Sequence, residues 1–313
     1  MKTNKQPLAL ITGGAGFIGS HLAEALTRLG CQVRVLDNLC SGRRDNLKSV
    51  WKKIQFFEAD IRDQQALSKA MEGAQVVFHL AALASVPESL NQPALYVEVN
   101  GQGSLGVYQA ATQARVKRVI LASTSAIYGD GPCPQTENQA PQADTPYAAT
   151  KLLAENLGLY FQRIWGLEVF SLRFFNVYGP RQSLTEGEAS VIGLFVQAAL
   201  NGQSPIIFGD GEQTRDFIEV RDVVEAMISA SRSPQPTGGV FNVGTGQATS
   251  INRLYQILKE LTPSLPRPIR HRDRPGDCLH SWANVSKTTR SLQSSAHIDL
   301  REGLASLLAQ AKN

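Results

Sequence analysis

The run Thr12-Gly-Gly-Ala-Gly-Phe-Ile-Gly-Ser-His-Leu22, entered from the apolar stretch Leu8-Ala-Leu-Ile11, constrains the fold of this chain more than any other segment. Gly13, Gly16 and Gly19 recur at every third position between an apolar strand and an amphipathic helix. Glycine at such a junction allows a tight turn, lets the backbone approach a pyrophosphate and lets the helix pack closely on the sheet. The start of the helix adds free N–H groups and the positive end of a dipole. A second apolar run, residues 32–37, ends in Asp37, 18 residues beyond Gly19. A carboxylate about 20 residues past the glycines is placed to take the adenosine ribose hydroxyls of a dinucleotide. Because Asp37 would repel a 2′-phosphate, NAD is favoured over NADP, and Arg43 and Arg44 read as a solvated basic turn.

The same alternation continues down the chain. Residues 7–12, 32–37, 54–60, 76–80, 118–123 and 168–173 read as strands, and residues 19–30, 63–71, 99–114 and 146–166 as helices between them. Strands alternating with helices argue for βαβ units, a doubly wound parallel sheet of Rossmann-like α/β type with helices on both faces. After Asn176 the texture changes to Gly/Pro punctuation, with helix-like runs at 190–201 and 250–261 and an arginine-rich loop at 263–274. The expected organisation is a dinucleotide-binding domain over 1–175, to which 217–243 returns, and a smaller substrate-binding lobe over 176–313. The 313 residues suffice for that arrangement.

Charge and cysteine usage exclude several alternatives. A net charge of +4 over 313 residues is too small and too dispersed to imply a nucleic-acid or membrane partner, whereas small anions remain suitable clients. Cys31, Cys40, Cys133 and Cys278 follow neither zinc-ligand nor disulfide-framework spacing, so no metal site is expected and a reducing cytoplasm is the default. The longest apolar tract, 74–86, is interrupted by polar residues and falls short of the ~20 needed for a spanning helix.

Tyr147 and Lys151 are the catalytic candidates. At i and i+4 they share one helix face, so the ammonium lies near the phenol. A tyrosine of ordinary pKa, ~10, is a poor base at neutral pH, but a neighbouring cation and a positive nicotinamide ring both favour the phenolate. Ser123, Thr124 and Ser125 end the fifth strand, where a hydroxyl either bonds a reacting oxygen or closes the strand. Asp60, beside Ile61 at the end of the third strand, is suited to the adenine edge or to a plain turn. Leu80, Ala81 and Ala82 after the fourth strand either admit a cofactor or serve close packing.

Taken in order, these motifs resemble the extended short-chain dehydrogenase/reductase family, and within it the nucleotide-sugar epimerases and dehydratases. The resemblance runs nearly end to end. It includes Leu36-Asp-Asn-Leu39, His79-Leu-Ala-Ala82, Val99-Asn100, Ser123-Thr-Ser-Ala-Ile-Tyr-Gly129, Pro146-Tyr-Ala-Ala-Thr-Lys151, Leu172-Arg-Phe-Phe-Asn-Val-Tyr-Gly-Pro-Arg181, Phe208-Gly-Asp-Gly211 and Asn242-Val-Gly-Thr-Gly246. By resemblance, NAD contacts extend to Phe17, Ile18, Asn38 and Asn100, and a UDP- or dTDP-sugar is held by Ser125, Asn176, Val191, Phe208, Arg215 and Arg274. An arginine fork suits a diphosphate, which agrees with that assignment. Family dehydratases and decarboxylases carry a carboxyl where this chain has Ala126, so the resemblance implies a 4-epimerase in which Thr124, Tyr147 and Lys151 act with NAD. Ser281, before Trp282-Ala283, matches the position where a small residue admits N-acetylated sugars, or is an unrelated loop serine. A homodimer is implied by resemblance alone. The rival readings are a 4,6-dehydratase or reductase of the same family and a non-catalytic dinucleotide sensor.

Overall fold

The computed structural model describes residues 7–184, 190–234, 238–272 and 278–311. In its central sheet, neighbouring residues of each strand point to opposite faces, and both faces are apolar. Ala9, Ile11, Val33, Val35, Phe78, Ile120, Phe170 and Leu172 are buried on one face, and Leu10, Leu36, Val77, Val119 and Val169 on the other. Sheets covered on both sides are the usual home of parallel strands, which require crossover helices to connect them.

The chain begins β1 (Leu8–Thr12), α1 (Phe17–Arg28), β2 (Gln32–Asp37), β3 (Ile54–Glu58), α2 (Gln64–Met71) and β4 (Val76–His79). Asp63 starts α2 by accepting from the backbone N–H groups of Gln65 and Ala66. Two short helices, α3 (Val86–Asn91) and α4 (Pro93–Tyr96), lead into a π-helical turn over Val97–Gln102 and then α5 (Gly103–Gln113). The single helix expected over 99–114 is thus divided, because a π turn shifts the hydrogen-bond register without altering the apolar pattern. Next come β5 (Arg118–Thr124), α6 (Pro146–Trp165) and β6 (Glu168–Phe174). Thr145 caps α6 through the Ala148 N–H, Pro146 occupies its first turn, and Gly166 ends it in the left-handed region at φ 70°.

The second half interleaves. It runs through β7 (Asn176–Tyr178), α7 (Val191–Asn201), β8 (Ile206–Phe208), β9 (Thr214–Arg215), β10 (Phe217–Glu219), α8 (Val220–Arg232) and β11 (Gly239–Val243). It continues with β12 (Thr249–Ser250), α9 (Ile251–Leu261), β13 (Ile269–His271), β14 (His280–Ser281), α10 (Ser286–Leu292) and α11 (Leu300–Ala311). Strand β11 joins the central sheet beside β6, giving the parallel order β11-β6-β5-β4-β1-β2-β3. Residues of α1, α8 and α10 cover one face, and residues of α2, α5 and α6 the other. A separate apolar core gathers α7, α9 and α11 around Phe195, Leu254, Leu258 and Leu304.

Strand order reverses at β1, which has β2 on one side and β4 on the other. Ligands of open α/β sheets bind at such a switch point, beyond the carboxyl ends of the strands. Here that point is closed by Thr12 Oγ1, 2.8 Å from His79 Nδ1, while Ser104 lies 2.9 Å from the other ring nitrogen.

Candidate active site

The glycines at the switch point have different physical reasons. Gly13 adopts φ +72°, and a Cβ there would lie 2.6 Å from the Ala81 nitrogen. A Cβ at Gly19 would meet the Gly13 carbonyl oxygen at 2.2 Å. Gly16 is different: its Cβ would meet only Gly13 O, at 3.3 Å. Gly16 is also the N-cap of α1, and no side chain caps that helix. The turn therefore packs tightly on the protein at Gly13 and Gly19 and less tightly at Gly16, where a Cβ would meet one backbone oxygen, in front of the uncapped helix start that carries Phe17 and Ile18. This arrangement fits a pyrophosphate.

Asp37, at the end of β2, is 6% exposed. Its carboxylate accepts from the Ala15 N–H at 2.9 Å and the Leu39 N–H at 2.8 Å, so it braces the glycine turn. Burial pushes its pKa up, against those two bonds. Asn38 donates to Asp60 at 2.8 Å. Asp60 is also gripped by Arg62 at 2.8 Å through each carboxylate oxygen, and this holds its pKa down at about 2. The Ile61 side chain is buried against Gly103 and belongs to the apolar core.

On the other side of the switch point, Leu80, Ala81 and Ala82 are partly buried. Asn100, in the π-helical turn, clamps this segment to α6. Its Oδ1 accepts from Leu83 N at 2.8 Å, and its Nδ2 donates to Leu83 O at 3.0 Å and to Thr150 Oγ1 at 3.2 Å. Thr150 sits between Tyr147 and Lys151, so the clamp fixes the segment after β4 relative to the catalytic candidates.

Thr124 ends β5, and its hydroxyl is near enough to the Tyr147 phenol to hold the phenol's pKa down. Thr124 also accepts from the Ala126 N–H at 3.2 Å, which starts the short turn Ser125–Tyr128. Tyr147 is partly buried; burial raises its pKa and the Thr124 hydroxyl lowers it. Lys151 is 5% exposed, and burial lowers its pKa to about 8. Three of the expected side chains thus converge at the mouth of β5 and the first turns of α6.

The expected substrate residues lie in the second half of the chain. Asn176 opens β7, whose backbone pairs with β10, and Val191 begins α7. Phe208 lies in β8 with its ring against His271. Strand β14 pairs with β9 so that Ser281 sits opposite Arg215. Ser281 is buried, and its hydroxyl donates to Gln135 Oε1 at 3.2 Å. Arg274 lies outside the described residues. Sequence reasoning missed Gln135, Glu155 and Arg173, all buried polar groups next to residues it had singled out. Among the described residues no cluster of three metal-ligand side chains is gathered, and no helix is long and apolar enough to cross a membrane.

Residues 9–244 match the model of the NAD dependent epimerase/dehydratase family. The chain is 35% identical over 309 residues to a putative UDP-glucose 4-epimerase of Methanocaldococcus jannaschii, covering 98% of this chain and 99% of the relative. It is 38% identical over 262 residues, 82% of this chain and 80% of the relative, to a UDP-N-acetyl-alpha-D-glucosaminuronate decarboxylase of Bacillus cytotoxicus. Among solved structures it is similar to a UDP-N-acetylglucosamine 4-epimerase from Methanobrevibacter ruminantium M1 in complex with UDP-N-acetylmuramic acid. The TM-score is 0.94 at 38% identity, with 98% of this chain and 99% of that one covered. A Thermus thermophilus UDP-glucose 4-epimerase complex with NAD superposes with a TM-score of 0.89 at 34% identity, covering 98% and 99%.

Proposed function

The chain belongs to the NAD dependent epimerase/dehydratase family, and from that premise we propose that it interconverts 4-epimers of a UDP-sugar through a transient 4-keto sugar. The substrates are UDP-glucose and UDP-galactose together with their N-acetylated counterparts. One observation carries the reaction type: the Thr124 hydroxyl acts on the Tyr147 phenol at the mouth of β5, and the turn that follows, Ser125–Tyr128, brings no carboxyl with it. Elimination of water or loss of carbon dioxide needs a further acid or base there; epimerisation does not. For this reason the decarboxylase relative does not lead the reading.

The turn around Gly16, the helix start with Phe17 and Ile18, and Asp37 hold NAD, whose chemistry when bound is reversible hydride transfer. Tyr147 takes the proton of the sugar 4-hydroxyl, and the Thr124 hydroxyl holds the same oxygen in place. Lys151, one helical turn on, supplies the positive charge that favours the phenolate. After the 4-keto sugar presents its other face, Tyr147 returns the proton to the new hydroxyl. Arg215 bonds the diphosphate, and the neighbouring Ser281 leaves room for an N-acetyl group.

Exposed Leu90, Val97, Leu153, Tyr160, Ile164 and Trp165 lie on α3, the π-helical turn and α6, with α6 in contact with both of the others. An apolar seam of this kind supports a homodimer formed through these helices.

The reaction is tested by incubating the NAD-loaded protein with each UDP-hexose and reading product stereochemistry by NMR. The 4-epimer is the expected product. A stable keto or deoxy sugar, or net NADH formation, overturns the proposal.

A further inference from the structure

We infer that Glu155, locked by Arg173 and Ser123, is a positioning residue that keeps the Lys151 charge directed at Tyr147. The inference rests on the catalytic reading of Tyr147 and Lys151 given above. Tyr147, Lys151 and Glu155 follow one another at four-residue intervals along α6, on one face of the helix. Glu155 is 2% exposed, Arg173 from β6 is 4% exposed and Ser123 from β5 is buried with them. Burying an ammonium such as Lys151 is costly unless an opposite charge lies near.

Three hydrogen bonds from two strands fix the Glu155 carboxylate. Arg173 donates from Nε to Oε1 at 3.0 Å and from Nη2 to Oε2 at 2.7 Å, and Ser123 Oγ donates to Oε1 at 2.5 Å. The guanidinium is itself seated over the Tyr128 ring at 4.7 Å, and the Tyr128 hydroxyl donates to Asn242 at 2.6 Å. With both oxygens gripped, the carboxylate cannot turn along the helix to form a direct pair with Lys151. Its field still reaches the ammonium and opposes the effect of burial on it.

The other group facing Lys151 electrostatically is His79 from β4. Its ring nitrogens are taken by Thr12 and Ser104, and burial together with Lys151 lowers its pKa to about 3, so it is neutral at working pH. Tyr147 and Thr124 complete the polar surroundings from α6 and β5. Glu155 therefore supplies the counter-charge. Arg173 prevents that counter-charge from drawing the ammonium away from the phenol.

Two variants with opposite signatures test this in the NAD-loaded enzyme. Glu155→Gln alone would leave Arg173 buried and unpaired, which is strongly destabilising, so Glu155→Gln with Arg173→Met removes both charges together. In the folded double variant the alkaline limb of kcat moves to lower pH by about one unit, lowering kcat about fivefold at pH 8 while KM holds. Arg173→Met alone frees the carboxylate to pair with Lys151, so the plateau of kcat falls and the alkaline limb moves to higher pH. An unshifted limb in the double variant, or movement of both variants in the same direction, overturns the inference. Full turnover by Tyr147→Phe instead overturns the catalytic reading on which it rests.

Discussion

The Thr124 hydroxyl at the end of β5 acts on the Tyr147 phenol in the first turn of α6 and opposes the upward effect of burial on it. Strand and helix thus meet at the pair of groups proposed to hold the sugar hydroxyl. Removing the hydroxyl while keeping the shape, in Thr124→Val, lowers kcat by roughly 10- to 100-fold, the worth of a hydrogen bond to a group acquiring charge. Thr124→Ser retains most of the activity. Steady-state kinetics on both variants checks this, and equal kcat in Thr124→Val and wild type would remove Thr124 from the mechanism.

Gly16 and Gly19 separate cofactor binding from folding. A methyl at Gly19 is driven into the Gly13 carbonyl at 2.2 Å, backbone against backbone, whereas a methyl at Gly16 meets the same oxygen at 3.3 Å. Gly19→Ala is therefore expected to lower the melting temperature severely, in the range of a core overpacking, ~1–3 kcal/mol or more. Gly16→Ala is expected to lower the melting temperature less than Gly19→Ala without cofactor, and to lose most of the stabilisation that added NAD confers. Thermal melts with and without NAD distinguish the two.

Much of this site was legible because parallel strands buried on both faces are short apolar runs, and each ends at the same edge of the sheet. Thr12, Asp37, His79 and Thr124 all terminate such runs, so their shared edge follows from the alternation alone. The partners of those residues were harder to see. Glu155 lies four residues beyond Lys151, a spacing common to solvated ion pairs on helix surfaces, and only the three-dimensional approach of Arg173 reveals that it is buried. The pairing of Ser281 with Arg215 joins short strands far apart in the chain, and no local pattern encodes it. The π-helical turn was likewise invisible to apolar periodicity, though it is what delivers Asn100 to Leu83 and Thr150.

His79 makes the fold sensitive to acid. Its folded pKa, about 3, lies below the ordinary value of 6.5 because burial disfavours the imidazolium. Between these two values the unfolded chain binds the proton and the folded one does not. The stability contributed by neutral His79 is therefore complete above pH 6.5 and falls as pH drops toward 3, with a limiting slope of about 1.4 kcal/mol per pH unit. Denaturant unfolding at stepped pH measures this slope. His79→Gln, less stable at pH 7, is expected to have a flatter profile, and an identical profile would exclude His79 as the source.

Asp37 braces the glycine turn, and its proposed role in cofactor choice can be tested at the same carboxylate. Because its two oxygens receive the Ala15 and Leu39 N–H groups, Asp37→Asn turns an amide donor toward one backbone donor and removes the negative charge. NAD affinity is expected to fall by about tenfold or more, the loss of a charge-assisted bond, while NADP affinity falls less. The Kd ratio of the two cofactors, measured by titration calorimetry, therefore moves toward one. A ratio unchanged from wild type would place the discrimination elsewhere, with Arg43 and Arg44 the next residues to vary.

Ser281 carries the proposed breadth toward N-acetylated sugars, and its surroundings define a sharp test. It is buried opposite Arg215 on paired strands, and its hydroxyl is engaged by Gln135, itself fully buried. If Ser281 borders the proposed N-acetyl space, a tyrosine there fills that space. Ser281→Tyr is therefore expected to cut kcat/KM for UDP-N-acetylglucosamine by about 100-fold or more, the scale of a steric clash with one substrate and not its competitor. For UDP-glucose the same variant keeps kcat/KM within about threefold, because the added ring meets no substrate atom at that position. Competition kinetics with both sugars in one tube reads the ratio directly. Parallel losses on the two sugars would mean that Ser281 supports the pocket without selecting what enters it, and unchanged N-acetyl turnover would mean that the gate lies elsewhere.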